Sequence, residues 1–553
     1  MRVPIRMLVA MALFSAVVLA ACAPAATPTA VPPSPTAAAQ AEPTQAATVV
    51  PTTPPTAAPV AAAPSPTGAP ATTGEPVTWL MAGDDWGYPT PFAMYPRGPG
   101  YMRMSYLFDT LIWKDEKGYV PWLAEEWAVA EDGVTWTFRL RQDVTWHDGQ
   151  PLTADDVAFS YLYLKGAQEK GMITWGWPLQ RVASVEVADG GTGVAIRMTE
   201  PTAGLLTDLF GSVPIIPAHI WESVEDPVQK LDAEAAVGSS LFVLKEYNKE
   251  EGRYVYDANP SFFLGKPAVD RLVFVKVTDA ALALLSGDVD EASFSGKGIA
   301  SVQQFEGQDG YRIAEGPNHW VLKLYMNPQR PPLDDRRARQ AIAHAIDRQE
   351  IVDRAQMGGA IVASLGILSP GTYWHNPNLP AYPHDLDEAR DLLAEVGAAS
   401  PALTLVTTER YAREAELIQG YLRDAGIAVT VQTGDQATVD GLLREGNYDL
   451  LITGHGGTAN PDMDAPVPRA VWSDPAYDAA YEASTRAVDD EERRGYAWTM
   501  QEIVATELPV LALWHPLMWE IYRPGVVEPF YTPEGVDGGI PIAQNKLMFL
   551  PRR

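Results

Sequence analysis

Hydrolysis, group transfer and redox chemistry need nucleophiles, bases or metal ligands at close spacing, and this chain does not supply them. It has no Gly-x-Ser-x-Gly elbow, no phosphate loop and no His-Glu-x-x-His pair, and its eight histidines lack close metal-ligand spacing. Asp84 and Asp85 are adjacent, with nothing to set them at the separation that glycoside hydrolysis requires. His147 lies in a His-Asp-Gly turn and is expected to face solvent. With Cys22 the single cysteine, disulfides, iron-sulfur clusters and cysteine-ligated zinc are excluded. No catalytic residue, cofactor or metal is therefore expected. Binding chemistry is better served. Sixteen tryptophans, several outside obvious core strands, suit stacking on sugar rings or peptide side chains. Trp86, Tyr88, Phe92 and Tyr95 stand in a Gly- and Pro-rich loop, 83–100, just after an apolar strand at 77–81. Loops at the ends of core strands are where open α/β proteins bind ligands.

The elements that must position such residues are clearest in residues 118–165. From Thr135 to Leu140, polar Thr135, Thr137 and Arg139 alternate with apolar Trp136, Phe138 and Leu140, the period of a half-buried strand. Asp132-Gly133 before it reads as a turn, and a second short strand is expected at 144–146, leading into His147-Asp148-Gly149. Pro151 then blocks the sheet, Thr153 is placed to cap a helix, and Asp155 and Asp156 put negative charge at its positive end. Val157, Tyr161 and Leu164 share its apolar face. Further along, strands are expected at 182–187, 194–198, 322–326, 403–407, 427–432 and 448–452, with helices at 388–396 and 413–424. This alternation implies a parallel α/β sheet in the later part. Asp334 is expected to cap one helix, and Asp347 with Glu350 to form a capping pair for the next.

The wording of the 118–165 stretch resembles the signature of the peptide/nickel-type (family 5) solute-binding proteins of ABC importers. It is carried by Leu123-Ala124, Trp127, Asp132-Gly133, Trp136, Phe138, Leu140-Arg141, Trp146 through Ala154, Asp156-Val157 and Phe159-Ser160. Asp109-Thr110-Leu111, Asn259-Pro260, Gly265-Lys266-Pro267 and the Asp335-to-Ile342 segment extend the likeness to both halves of the chain. At 237–242 the family's Gly-Thr-Gly-Pro-Tyr is reduced to Gly238 and Phe242.

The resemblance implies an α/β periplasmic-binding-protein-like fold of the large class C type, with two lobes, a hinge and an extra subdomain. The expected division is 76–113 and 235–318 in lobe I, 114–234 in the extra subdomain, 319–507 in lobe III, and 508–553 returning to lobe I. The implied function is capture of an extended solute, an oligopeptide or an oligosaccharide, between the lobes of a monomer and its delivery to a permease with ATPase subunits. A sensory or scaffolding lipoprotein of the same fold is the alternative, and an extracellular hydrolase a more distant one. The crossings between lobes make Asn318, His319, Trp320, Trp514 and His515 candidate cleft residues, beside Trp86 and Tyr88. Peptide-binding members commonly carry a Gly-Trp followed by an Asp that pairs with the peptide's α-ammonium. Here His455 replaces that Trp and Thr458 stands near the Asp position, with Asp462 or Asp464 a potential substitute.

The beginning of the chain bears on location. Arg2 and Arg6, an apolar run over 7–18 and Leu19-Ala20-Ala21-Cys22 read as a lipoprotein signal peptide, 1–21, cut before a lipidated Cys22. Residues 22–75, nearly all Ala, Pro, Thr and Val, read as a disordered tether reaching on the order of 40 Å as a coil. A lipid-anchored protein on the periplasmic or extracellular face of the cell membrane is expected. The formal charge of −29, from 70 acidic against 41 basic residues spread along the chain, argues against nucleic acid as a partner.

Overall fold

The computed structural model describes residues 76–551 apart from 96–97, 174, 318, 398–400, 456–460, 462–466, 533–534 and 536–541. The expectations for Cys22, the 1–75 leader and tether, Asn318, Thr458, Asp462 and Asp464 lie outside the described residues, and His455 is described in its backbone alone.

Strand β1 (Thr78–Gly83) turns Trp79 and Met81 into the core. A hairpin follows, β2 (Ile112–Asp115) and β3 (Gly118–Pro121). Four strands then make an antiparallel sheet: β4 (Ala124–Val129), β5 (Thr135–Leu140), β6 (Val182–Ala188) and β7 (Gly193–Met198), in the order β4-β5-β7-β6. The next five are β8 (Phe242–Asn248), β9 (Arg253–Ala258), β10 (Arg271–Lys276), β11 (Glu291–Ser295) and β12 (Arg312–Gly316). Then come β13 (Val321–Met326), β14 (Ala360–Val362), β15 (Ala402–Thr408), β16 (Ala428–Gly434), β17 (Leu450–His455) and β18 (Val510–Pro516), and last β19 (Met518–Tyr522). The first lobe is the seven-stranded sheet β12-β19-β11-β1-β10-β9-β8, and the second is the six-stranded sheet β14-β18-β13-β17-β15-β16. Each has apolar clusters on both faces.

Local physics explains the stretch that is most legible in the sequence. Thr153 accepts from the Asp156 amide while Asp156 accepts from the Thr153 amide, a reciprocal box that starts the helix Ala154–Glu169. The second carboxylate oxygen of Asp156 also takes the Ala218 amide at 3.0 Å, so the cap fastens a distant turn. Val157, Tyr161 and Leu164 are fully buried. The expected strand at 144–146 is instead a single bridge, Thr145 to Pro151, because Pro151 has no amide with which to extend the ladder. Strands β15, β16 and β17 pair in parallel as expected, but β13 runs antiparallel to both β17 and β18.

The chain passes between the two sheets twice. The first passage is residues 317–320, between β12 and β13. The second was expected near Leu508, but β18 pairs with β13 and β14, so the chain stays in the six-stranded sheet through Pro516. The passage is Leu517 alone, whose amide donates to the Gly359 carbonyl in one lobe while its carbonyl accepts from the Gly296 amide in the other. A side chain on Gly359 would put Cβ 1.9 Å from the Gly296 carbonyl oxygen, so the hinge requires glycine there.

Candidate functional site

Both passages deliver their flanking residues to one end of the six-stranded sheet. Val321 at the start of β13 pairs with His455 at the end of β17, and Leu322 pairs with Trp514 of β18. Trp320, half-buried, stacks on Tyr411 at 6.3 Å between centroids and tilts against Trp514 at 5.3 Å. Its indole packs against Gly454, where an added Cβ would come 1.7 Å from the ring. Replacing Gly454 with Ala should expel the ring and destabilise the protein by about 1–3 kcal/mol. The double variant Gly454→Ala/Trp320→Ala should lose little beyond Trp320→Ala alone, and additive losses in denaturant titrations would refute the contact.

His515, fully buried, donates from Nδ1 to the Trp320 carbonyl at 2.9 Å, so Nδ1 carries the proton and Nε2 is left without a partner among the described residues. His319 is also buried, with Nδ1 unpartnered. Burial holds both imidazoles down at about 4. A histidine with a depressed folded value adds stability that is intact above its unfolded value, near 6.5, and is lost as pH falls from there towards 4. Buried carboxyls act in the opposite direction, so the difference between the parent and His319→Gln is the informative quantity. The parent should lose on the order of 2–3 kcal/mol relative to that variant between pH 7 and pH 4. Parallel pH profiles from chemical unfolding would contradict a neutral, buried His319.

The site residues expected from the sequence do not form one group. His319, Trp320, Trp514 and His515 come together at the end of the second lobe. Trp86 and Tyr88 line a separate cavity of about 510 Å³ with Tyr95, Leu231 and Tyr247, all from the first part of the chain. Tyr88 is held there by its hydroxyl on the Asp232 carbonyl and an edge contact with Tyr247. His147 does not face solvent. Its Nδ1 accepts from the Gly238 amide at 3.1 Å and its Nε2 donates to the Ser240 carbonyl at 3.1 Å, which, with burial lowering its basicity, fixes one neutral tautomer.

Three features were not read from the sequence. Lys323 is fully buried in β13, and a lysine inside the apolar run Val-Leu-Lys-Leu-Tyr-Met was the available signal. In the first lobe, burial raises both Glu291 and Glu520 above the usual carboxylate range, and the neighbouring Glu520 raises Glu291 further. Glu291 also accepts from the Trp79 indole at 2.8 Å, and Glu520 from the exposed Ser293 at 2.6 Å. Finally, the loop after β7 touches the second lobe: Glu200 pairs with Arg486 at 3.2 Å and the Ala203 amide donates to Thr485. A cavity of about 450 Å³ lies beside this contact, lined by Trp136, Gly204, Leu205, Trp374, Asp490 and Arg493. Among the described residues, no three His, Cys, Asp or Glu side chains are grouped to hold a metal ion.

Two sheets joined by two short crossings, with aromatic and ionisable side chains gathered where the crossings enter, define a two-lobed binding protein with a hinge. Residues 118–475 match the family described as bacterial extracellular solute-binding proteins, family 5. The chain is 30% identical to a probable di/tripeptide-binding protein 5 of Pseudomonas aeruginosa, over 74% of this chain and 85% of that protein. It is 27% identical to a dipeptide-binding protein of Escherichia coli, over 73% and 82% respectively. The fold is similar to a periplasmic oligopeptide-binding protein of an oligopeptide ABC transporter from Thermotoga maritima, with a TM-score of 0.72 at 21% identity, covering 85% of this chain and 96% of that one. The chain belongs to the family 5 solute-binding proteins, and its function is solute capture for an ABC importer.

Proposed function

We propose that the captured solute is a short peptide, held in extended form where the crossings meet the second lobe and delivered to a permease driven by ATPase subunits. The likeness to the di/tripeptide-binding protein of Pseudomonas aeruginosa over 85% of its length carries this reading. Trp320 and Trp514 supply apolar walls and His319 and His515 polar edges in this reading, and Thr458 and Asp462 are the candidates to bind the peptide's amino end. Trp86 and Tyr88 serve a solute long enough to extend over the first lobe.

A ligand at a hundred times its dissociation constant stabilises its protein by about 2.7 kcal/mol, so pools of peptides and of oligosaccharides are distinguishable by thermal shift. Stabilisation by the peptide pool is expected. A response to oligosaccharides alone would replace the peptide reading with a sugar-stacking one. If Asp462 holds the ammonium, Asp462→Asn should weaken binding several hundredfold, as loss of a buried charge partner implies. The lipidated Cys22 anchors the protein as a monomer at the outer face of the cell membrane in this reading. Cys22→Ser should then leave the leader uncut or release the protein from the membrane fraction.

A further inference from the structure

The middle of β13 carries a feature that solute capture in general does not explain. Lys323 is fully buried, and its Nζ has no hydrogen-bond partner among the described residues; it lies 5.1 Å from the centre of the Tyr325 ring. Across the sheet it is flanked by Thr453 and Ala512, two residues in from the end where Val321 pairs with His455. The charges acting on His515 are those of His319, His375 and Lys323, all potential cations. His319 Nδ1, His375 Nδ1 and His515 Nε2 are, like Lys323 Nζ, buried without hydrogen-bond partners among the described residues. Asp440 acts on the neighbouring Tyr325 and accepts from Gln436, but the basicity of Lys323 is governed by burial alone. A buried cation without a counter-charge is strongly unfavourable, and so is a buried donor without an acceptor. His515, on which His319, His375 and Lys323 all act, stands beside the end of the sheet where the crossings enter, and such a set is complementary to an anion.

We propose that Lys323, with His515 and His319, forms an anion subsite that receives the terminal carboxylate of the captured solute. This deepens the peptide reading and rests on it for the identity of the solute, not for the anion chemistry. In the ligand-free protein, burial disfavours the charged forms of the amine and the imidazoles. A carboxylate arriving beside them favours their charged forms, so binding takes up protons from solution. An ammonium on Lys323 then donates directly to the carboxylate, and a protonated Nε2 of His515 adds a second charge-assisted bond. A peptide amide offers a neutral carbonyl in the same place and draws no proton.

The test uses trialanine and trialanine amide with the full chain and with Lys323→Met, by calorimetry in two buffers of different ionisation enthalpy. The parent should prefer the free acid by about 10–100-fold and take up protons on binding it. Lys323→Met should bind both forms about equally and, without ligand, should melt at a higher temperature than the parent, because a buried polar group without a hydrogen-bond partner has been removed. Lys323→Arg should restore part of the acid preference, and Lys323→Gln serves if the methionine variant does not fold. Equal binding of acid and amide by the parent would overturn the subsite and leave the peptide reading standing. If neither peptide binds, acetate against chloride at equal ionic strength decides: acetate should stabilise the parent and not Lys323→Met, and an equal response of the two proteins overturns the proposal.

Discussion

Asp109→Asn should destabilise the protein by about 3–5 kcal/mol, among the largest effects of any conservative change in the chain. Asp109 and Lys546 form an ion pair at 2.6 Å in which neither side chain has any solvent exposure. The same carboxylate oxygen takes the Trp122 indole at 2.7 Å, and the other takes the Ser239 hydroxyl at 2.8 Å. The ammonium also lies 4.2 Å from the centre of the Trp113 ring and donates to Ser240. Burial lowers the basicity of Lys546 and Asp109 offsets this in part, so removing the carboxylate leaves a buried ammonium without its counter-charge. The double variant Asp109→Asn/Lys546→Met should lose much less than the sum of the single changes, because no orphaned charge remains. A loss below about 1 kcal/mol for Asp109→Asn in urea titrations would mean that the pair is not buried as described.

Gly238→Ala should cost about 3 kcal/mol, at the upper end for inserting one methyl group into a packed interior. Its Cβ would sit 1.8 Å from the Leu107 carbonyl oxygen, and backbone cannot rotate away as a side chain can. That oxygen already accepts the Ser240 amide, the Gly238 carbonyl accepts the His147 amide, and the Gly238 amide donates to the His147 ring. Displacing residue 238 therefore loosens the His147 turn and the Ser240 segment together. Gly420→Ala is the control: it is helical, has open space around its Cβ, and should be neutral or stabilising by up to about 1 kcal/mol. Similar melting temperatures for the two variants would refute the close approach at Gly238.

Local chemistry was legible wherever short-range rules decide the structure. The β5 alternation, the Thr153–Asp156 cap and the face bearing Val157, Tyr161 and Leu164 follow from side chains a few residues apart. Near misses were also local: Asp335, not Asp334, caps the helix Arg336–Ala345, and Asp347 caps its helix while Glu350 turns to Arg354 and Tyr421. The candidate site was half legible. Resemblance pointed to the crossings and so to His319, Trp320, Trp514 and His515, but periodicity could not say that Trp86 would lie in a different groove. The apolar pattern of β18 runs unbroken towards the hinge, so nothing in it marked Leu517 rather than Leu508 as the point of passage. Meetings such as Asp109 with Lys546, or Glu291 with Glu520, join residues separated by hundreds of positions, and single-sequence patterns do not encode such pairs.

The route of the chain through the first lobe has a consequence for how the protein is made. Strand β19 lies between β11 and β12, so β12 is joined to its sheet only through a strand supplied more than two hundred residues later. Lys546, later still, neutralises Asp109. During synthesis, the lobe that begins first is thus the one completed last. The six-stranded sheet, whose strands all fall between Val321 and Pro516, has every partner available before β19 emerges. Until then the nascent first lobe exposes an open edge on β11 and a buried-to-be carboxylate at Asp109, the kind of surface that invites chaperone engagement of an incompletely folded chain.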